Sequence, residues 1–424
     1  MSSSGGNRDF SWVRLVFVDL FGSPRSVQLP GAHLPAILAD GIGVDGSALE
    51  GRARQLEADM LLRPDPSTLL DLGGGIARIV CDVAEIDGRR WPVDPRTALS
   101  RLLEDLGPWA RSWRARAELE FYLLDSNLEP VDSAGYFSNL AGADRGAQVV
   151  HAAAARLDSY GATVISAHHE AGRGQHELDL AEAGPIALGD SLVLAKEVLK
   201  EEASAAGLRA TFMARPISTE PGSGLHLQQR FALGSVHSAS DPSEAPKAEV
   251  PARAVVGGLL SHASGLCAFA APTVNSYRRL HVGPEAPGSA VWAHLNRAAL
   301  VRLAPEGPGD PVVEFRGADP SANPYLLIAG MLAAISDGMD SATDPGPPME
   351  ESLEGFDPAA FEVAPMKLPR TLEAALDALV ADDTLVDAFD DRLIRRYVEG
   401  RMADVELSQG HVSLWELGRY LDEA

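Results

Sequence analysis

The chain has 424 residues, of which 46% are hydrophobic, and a formal net charge of -24. That length exceeds what one ordinary core supports, so two domains are expected. The excess acidity repels phosphate backbones and anionic lipid, which excludes nucleic acid and membrane surfaces as natural partners.

Residues 1–9 read as a disordered tail without the apolar core of a signal peptide. In WVRLVFVDLFGSPRSVQLP, β-rich runs flank GSPR, a hairpin signal. AHLPAILADG reads as a short helix ending at Gly41, and ARIVCDVAEI as an apolar strand. These elements suggest a small α+β unit over residues 10–95. WPVDPRTALSRLLEDLG switches to helical periodicity and opens a larger domain, 96–424.

In that domain strands and helices alternate. ARAELEFYLLD, ATVISAHHE and GQHELDL read as strands, and AAAARLDSYG as a helix. DSLVLAKEVLKEEASAAG reads as a helix with Asp190 as N-cap and Gly207 as terminator. RATFMARPI and SGLHLQQRFAL look like paired strands, residues 234–253 like a polar loop, and AVVGGLLSHASGLCAFA like helix. PVVEFRGAD is a further strand, and the text past Leu368 is mostly helical. PYLLIAGMLAAI, the longest apolar run, is shorter than the ~20 residues a membrane span needs. Cys81 and Cys267 lie far apart in apolar text, which fits buried free thiols rather than a disulfide or zinc framework. The expected location is the cytoplasm.

Side chains two apart on a strand share a face, so Glu118 and Glu120 point the same way while Leu119 and Phe121 face the core. Glu170 and Glu177 flank AGRG, whose glycines allow the chain to turn back. His226 follows the tight GSG turn, and VEFRG places Glu314 and Arg316 on one face. Each feature alone fits an exposed strand face, a structural histidine or an ordinary ion pair. Together, five glutamates and one histidine in one α/β domain suit hard divalent ions, Mg²⁺ or Mn²⁺. So many carboxylates imply two or more ions sharing phosphate. Arg279, Arg297, Arg302 and Arg316 lie in a region poor in acid and would supply cations for phosphoryl oxygens. Neither a P-loop nor a dinucleotide-binding glycine fingerprint is present.

VDGSALEG, ADMLLRPDPST, AELEFYLL, HHEAGRGQHEL, GSGLH, PTVNSYRRL, GPEAP, NRAALVRL and VEFRGADPSANPYL follow in the order of a known family. From VFVDLFG to WELGRYL the chain resembles the glutamine synthetase family, bacterial type. The resemblance implies an α+β fold of two domains. These are an N-terminal β-grasp domain and a C-terminal α/β catalytic domain with a curved antiparallel sheet. It implies ATP and two or more Mg²⁺ or Mn²⁺ ions per site, small acid and amine substrates, and a role in nitrogen metabolism. It also implies homo-oligomers, hexamer rings or dodecamers, with sites shared between subunits.

By position, the resemblance gives one metal to Glu120, Glu170 and Glu177, and a second to Glu118, His226 and Glu314. Arg279, Arg316 and Gly222 would hold the amino-acid substrate. Arg297 and Arg302 would face the transferring phosphoryl group and the nucleotide, with Gln228 and Arg230 on the nucleotide side. Glu285 would close the site as a flap. Asp45 of the adjacent subunit would take the proton from ammonium or an amine, in a pocket lined by Tyr136.

The chain departs from the family where asparagine becomes Pro221, a second histidine Gln228, and a serine Arg230. Ala48 replaces a serine beside the amine pocket, and Val312 an arginine on the nucleotide side. The loss of polar groups beside the amine favours a larger or more apolar acceptor than ammonium. The expectation is therefore a γ-glutamyl–amine ligase working through an acyl phosphate. The alternatives are glutamine synthetase proper, a catalytically silent ring-forming paralogue, and a phosphotransferase that stops at a phosphorylated product. No tyrosine stands near Phe356, where adenylylated relatives are modified, so that regulation is not expected.

Overall fold

The computed structural model describes residues 10–49, 58–139, 144–231, 249–283, 285–304, 312–350 and 366–423. The tail before residue 10, the stretch around Phe356 and most of the expected loop 234–253 lie outside them. The chain divides into two compact units: Met1–Glu118 with Tyr122–Thr211 and Asn323–Ala329, and Leu119–Phe121 with Phe212–Ala322 and Gly330–Ala424.

The first unit opens on the hairpin β1 (Trp12–Val18) and β2 (Pro24–Pro30), antiparallel around GSPR as expected. After α1 (Leu34–Asp40) come β3 (Ile42–Val44), β4 (Met60–Pro64), β5 (Leu70–Asp71) and β6 (Ile76–Glu85). These strands form one mixed sheet in the order β2-β1-β6-β4-β3, with β5 beside β6. β1 and β6 run parallel at its centre and carry the apolar runs, as strands covered on both faces must. Leu15, Leu62 and Ile79 are fully buried there.

α2 (Pro95–Leu106) starts on the Asp94 cap with proline at its first position. The unit continues with α3 (Pro108–Ser112), β7 (Arg114–Leu124), α4 (Arg145–Ser159), β8 (Val164–His169), β9 (Gln175–Ala183), α5 (Pro185–Ala205) and β10 (Arg209–Thr211). β8 and β9 form an antiparallel hairpin beside β7. Two expectations need correction. α5 begins at Pro185 after Gly184, so Asp190 is no cap; it sits one and a half turns inside the helix. There its carboxylate accepts from Arg96 Nε at 3.0 Å and from the Tyr325 hydroxyl at 2.6 Å. Arg96 also reaches Asp65 and Asp82 at 2.7 Å each, so one buried guanidinium gathers three carboxylates. β10 pairs with the end of β7, not with the strand after the GSG turn.

In the second unit, β11 (Leu225–Arg230) follows that turn. Next come α6 (Glu249–Ser261), α7 (Ala263–Ala270), α8 (Ser276–Leu280), β12 (Trp292–Ala293), β13 (Val301–Ala304) and β14 (Val312–Phe315). Residues 249–253, expected as loop, are the first turn of α6. The strand order is β12-β13-β14-β11, and residues 119–121 of β7 adjoin β11. Glu120 N–H donates to Gly224 O at 3.1 Å across that junction. α9 (Pro324–Asp340) begins in the first unit and enters the second. α10 (Leu372–Val380), α11 (Asp383–Asp387), α12 (Asp391–Gln409) and α13 (Leu414–Tyr420) complete the chain. Phe269 of α7 meets Phe389 and Tyr397 with ring centroids 5.2 and 5.3 Å apart, the centre of the helical core. Cys81 and Cys267 are buried free thiols, as expected. Among the described residues, no single helix is long and apolar enough to cross a membrane.

Candidate active site

In the first unit, the hairpin explains the HHEAGRGQHEL text. A Cβ on Gly172 would stand 2.1 Å from the Tyr122 hydroxyl, and Gly174 adopts φ 66°. Only glycine suits both positions, and the turn they allow returns the chain. Gln175 Oε1 braces it by accepting the Gly172 N–H at 2.9 Å. The register sets His168 opposite Glu177 and His169 opposite His176, so one pair points to each face.

On the first face, His168 Nε2 lies 3.2 Å from Glu170 and 3.8 Å from Glu177. One donor atom from each of these three residues lies within 4.8 Å of the others. Glu170 raises the His168 pKa by accepting its hydrogen bond, with further help from the charges of Asp179 and Glu118. Glu118 on β7 has Arg116 at 3.6 Å. Asp179, two residues beyond Glu177, bonds Ser166 across the hairpin, and burial raises its pKa. Period two from Glu177 and Glu170 brings His168 and Asp179 to this face as well.

Tyr136 and Phe137 complete this face. Their rings lie 4.1 Å apart, and the His168 ring stands 5.8 Å from the first and 4.8 Å from the second. Both aromatics are exposed, at 44% and 65%. Asp45 is also exposed; its carboxylate accepts the Ser47 N–H at 2.9 Å, and its hydrogen bonds to Ser47 lower its pKa. The side chain of Ala48 lies outside the described residues.

In the second unit, Glu120, His226, Arg279, Arg302, Glu314 and Arg316 come together. Glu120 Oε2 accepts the Gly224 N–H at 2.8 Å, and Oε1 lies 3.7 Å from His226 Nε2. Arg279 Nη2 is 3.5 Å from the same nitrogen and donates to Arg316 O at 3.1 Å. The GSG turn makes room for this. A Cβ on Gly222 would lie 2.6 Å from Arg279 Cγ, and one on Gly224 2.5 Å from His226 Nε2. Burial, then the positive charge of Arg316, holds the His226 pKa well below its ordinary value, which favours the neutral ring. Burial also lowers the Arg279 pKa.

Glu314 is 3% exposed and accepts from Arg316 Nη1 at 2.5 Å and Arg302 Nη1 at 2.7 Å. Gln228 of β11 stands directly opposite Glu314, which puts His226, Gln228 and Arg230 on its face. Val312 is buried, Pro221 and Arg297 are exposed, and the Arg297 carbonyl accepts from Arg316 Nε at 2.9 Å. Glu285 is well exposed, 4.0 Å from Arg316.

Each unit carries donors that fit hard divalent ions. In the second, Glu120 and Glu314 are buried carboxylates and His226 is a buried imidazole; in the first, Glu177 is a buried carboxylate. Acidic side chains are seldom buried without a cation, and oxygen-rich sets select Mg²⁺ or Mn²⁺.

Two family descriptions match: "Glutamine synthetase, beta-Grasp domain" over residues 9–86 and "Glutamine synthetase, catalytic domain" over residues 92–420. The glutamine synthetase of Methanococcus maripaludis is 35% identical over 432 residues, covering 97% of this chain and 96% of the relative. That of Mycobacterium tuberculosis is 34% identical over 434 residues, covering 98% and 96%. Among solved structures, ligand-free GmaS superposes with a TM-score of 0.84 at 27% identity, covering 98% of this chain and 97% of that one. Plasmodium falciparum glutamine synthetase shares the fold, with a TM-score of 0.87 at 21% identity and the same coverage. The fold is thus a two-domain α+β arrangement, an N-terminal β-grasp domain and a C-terminal catalytic domain. The chain belongs to the glutamine synthetase family, and it is an ATP-dependent ligase.

Proposed function

We propose that this ligase joins a primary amine to the γ-carboxyl of glutamate. The observation that carries the reading is the aromatic wall of Tyr136 and Phe137 beside His168, Glu170 and Glu177. An ammonium ion needs only acceptors, whereas an alkylammonium also needs apolar or π surface for its carbon chain. Phe137 holds φ 56°, a region that costs a residue with a Cβ roughly 1–2 kcal/mol. Its N–H donates to His169 O at 3.1 Å, so the strained turn is tied to the hairpin that carries Glu170.

The chemistry has two halves. A γ-carboxylate oxygen attacks the terminal phosphorus of ATP, the bridging P–O bond breaks, and ADP leaves. The acyl phosphate formed is the electrophile that a bare carboxylate is not. Asp45 of the adjacent subunit takes a proton from the incoming ammonium group, and the free amine attacks the carbonyl carbon. The adduct nitrogen loses its second proton, the C–O bond breaks, and phosphate departs carrying that proton as hydrogen phosphate. Arg279, Arg316 and the Gly222 turn hold the amino acid, while Arg297, Arg302, Gln228 and Arg230 face phosphate and nucleotide. Glu285 closes over the intermediate and excludes water. Glu120, Glu170 and Glu177 would hold one Mg²⁺ or Mn²⁺ ion, and Glu118, His226 and Glu314 another. When bound, these ions neutralise phosphate charge. A structure named GmaS/ADP complex, 27% identical over nearly the full chain, supports a nucleotide site on this scaffold.

The proposed domain limits are 10–95 and 96–424, and the proposed location is the cytoplasm. The proposed assembly is a homo-oligomer of hexameric rings or a dodecamer. Leu414, Trp415 and Leu421, at and beside α13, are 88%, 68% and 73% exposed, an apolar surface suited to another subunit.

A second reading, ammonia as acceptor, is favoured by the relatives named glutamine synthetase at 34–35% identity. Phosphate release from ATP and glutamate with a panel of amines decides. A primary amine outpacing ammonia in kcat/KM supports the proposal; ammonia preferred over every amine refutes it.

A further inference from the structure

The other face of the β8–β9 hairpin carries a second cluster. There the His169 and His176 rings lie tilted against each other with centroids 4.3 Å apart, their side chains 4% and 2% exposed. Asp132 arrives from the chain after β7, which Val131 ties back to that strand by donating to Leu123 O at 3.0 Å. Its Oδ2 lies 3.9 Å from His176 Nε2. One donor atom from each of Asp132, His169 and His176 lies within 4.8 Å of the others.

The surroundings build a site. Asp132 Oδ1 accepts the N–H groups of Ala134 at 2.9 Å and Gly174 at 3.2 Å, which fixes the carboxylate. Its Oδ2 is buried with no hydrogen-bond partner among the described residues. His169 Nε2 lies 2.6 Å from Asp144 Oδ2, and Asp144 is anchored by accepting the Ala147 N–H at 2.7 Å at the start of α4. In the tautomer whose Nε2–H donates to Asp144, His169 bears a lone pair on Nδ1, and that atom too is buried with no hydrogen-bond partner among the described residues. A histidine whose far nitrogen is held by a carboxylate is the usual arrangement beside a metal. Gly146 lets the start of α4 pack closely against these groups. A Cβ there would stand 2.3 Å from His176 Nε2 and 3.2 Å from Asp132 Oδ2. The amino end of α4 opposes a cation, and the carboxylates of Asp132 and Asp144 offset it.

We propose that Asp132, His169 and His176 bind one Zn²⁺-class ion, at a site separate from the carboxylate set on the opposite face. Two imidazoles and one carboxylate select Zn²⁺ or Co²⁺ over Mg²⁺, and water completes the four positions. Glu170 and Glu177 each follow one of these histidines in sequence, and Tyr136 lies four residues beyond Asp132. The ion therefore clamps together the segments that present the proposed amine pocket.

The test is Co²⁺ titration of the chelator-stripped, full-length protein in a large excess of Mg²⁺, which occupies oxygen-rich sites and competes poorly for imidazole. The expected result is one Co²⁺ per chain with the intense visible bands of four-coordination, displaced by Zn²⁺, with a rise in Tm on Zn²⁺ addition. His176→Gln and Gly146→Ala lose this ion, with affinity down roughly 100-fold or more, and Asp144→Asn weakens it about 10–100-fold. Glu120→Gln on the catalytic set retains it. The proposal is overturned if the unaltered protein binds no Co²⁺ under these conditions, if His176→Gln or Gly146→Ala binds it equally well, or if Glu120→Gln abolishes the bands. The first of these outcomes needs no variant to fold.

Discussion

Arg316 and Glu314 stand two residues apart and bond each other, Nη1 to Oε1 at 2.5 Å, where β14 ends. Both are nearly buried, and Arg302 holds the second carboxylate oxygen. Arg316→Ala should therefore leave Glu314 half-paired rather than abandoned. A loss of about 1–3 kcal/mol in urea unfolding is expected, below what breaking an isolated buried pair costs. Phosphate release should fall more sharply, by roughly 10²–10³, because the guanidinium also faces the reacting carboxylate in the proposed site. Arg316→Lys should recover stability better than rate, since an ammonium lacks the planar fork.

Gly224→Ala probes the approach of three groups to one point. The added Cβ would meet His226 Nε2 at 2.5 Å and Arg279 Nη2 at 2.7 Å. Both side chains must move, and the Glu120 carboxylate bonded to the Gly224 N–H moves with them. Displacement by a fraction of an ångström at a catalytic centre costs rate more than stability. Turnover should drop roughly 100-fold while unfolding shifts by about 1–3 kcal/mol. Wild-type turnover in a folded Gly224→Ala protein would show that these groups take no part in the reaction.

The placement of elements was largely legible in local pattern, because strand and helix periods are properties of neighbouring residues. Their partners were not. β10 looks like a mate for β11 on adjacency, yet its three residues complete the edge of β7. Asp190 has the chemistry of a cap and stands before an apolar run, but the Gly184–Pro185 start lies earlier, and the carboxylate is used against Arg96. In the site, the i, i+2 rule placed Glu118 and Glu120 on one face. The face shared by His168 and Glu177, and the opposite one shared by His169 and His176, depend on cross-strand register, which no single segment encodes.

His262, at the break between α6 and α7, gives a pH dependence of stability. Its Nδ1 lies 2.8 Å from Asp382, and its Nε2 lies 3.2 Å from Asp337. The Asp382 hydrogen bond is the largest cause raising its pKa, opposed by burial and aided by Asp337. A folded-state pKa above the unfolded value of about 6.5 means the native state holds the proton more tightly. The stabilisation is complete below that value and disappears as pH rises through the folded pKa. The gap in urea midpoint between the natural chain and His262→Gln should be widest near pH 6 and narrow toward pH 9. A gap independent of pH would show that the imidazole acts only by packing.

The acceptor pocket is tested at Phe137, whose ring lies 4.1 Å from Tyr136 and 4.8 Å from His168 by centroids. Truncating it to alanine keeps the carboxylates that an ammonium group needs and removes the surface that a carbon chain needs. For a primary amine, kcat/KM should fall about 10-fold, the scale of one aromatic contact with an alkylammonium. For ammonia the change should be several-fold smaller, because its interaction is with Glu170, Glu177 and the base. The ratio of the two constants cancels any general damage to folding or to ATP binding. An equal fall for both substrates would place Phe137 outside the acceptor pocket and leave Tyr136 as the remaining aromatic to lining it.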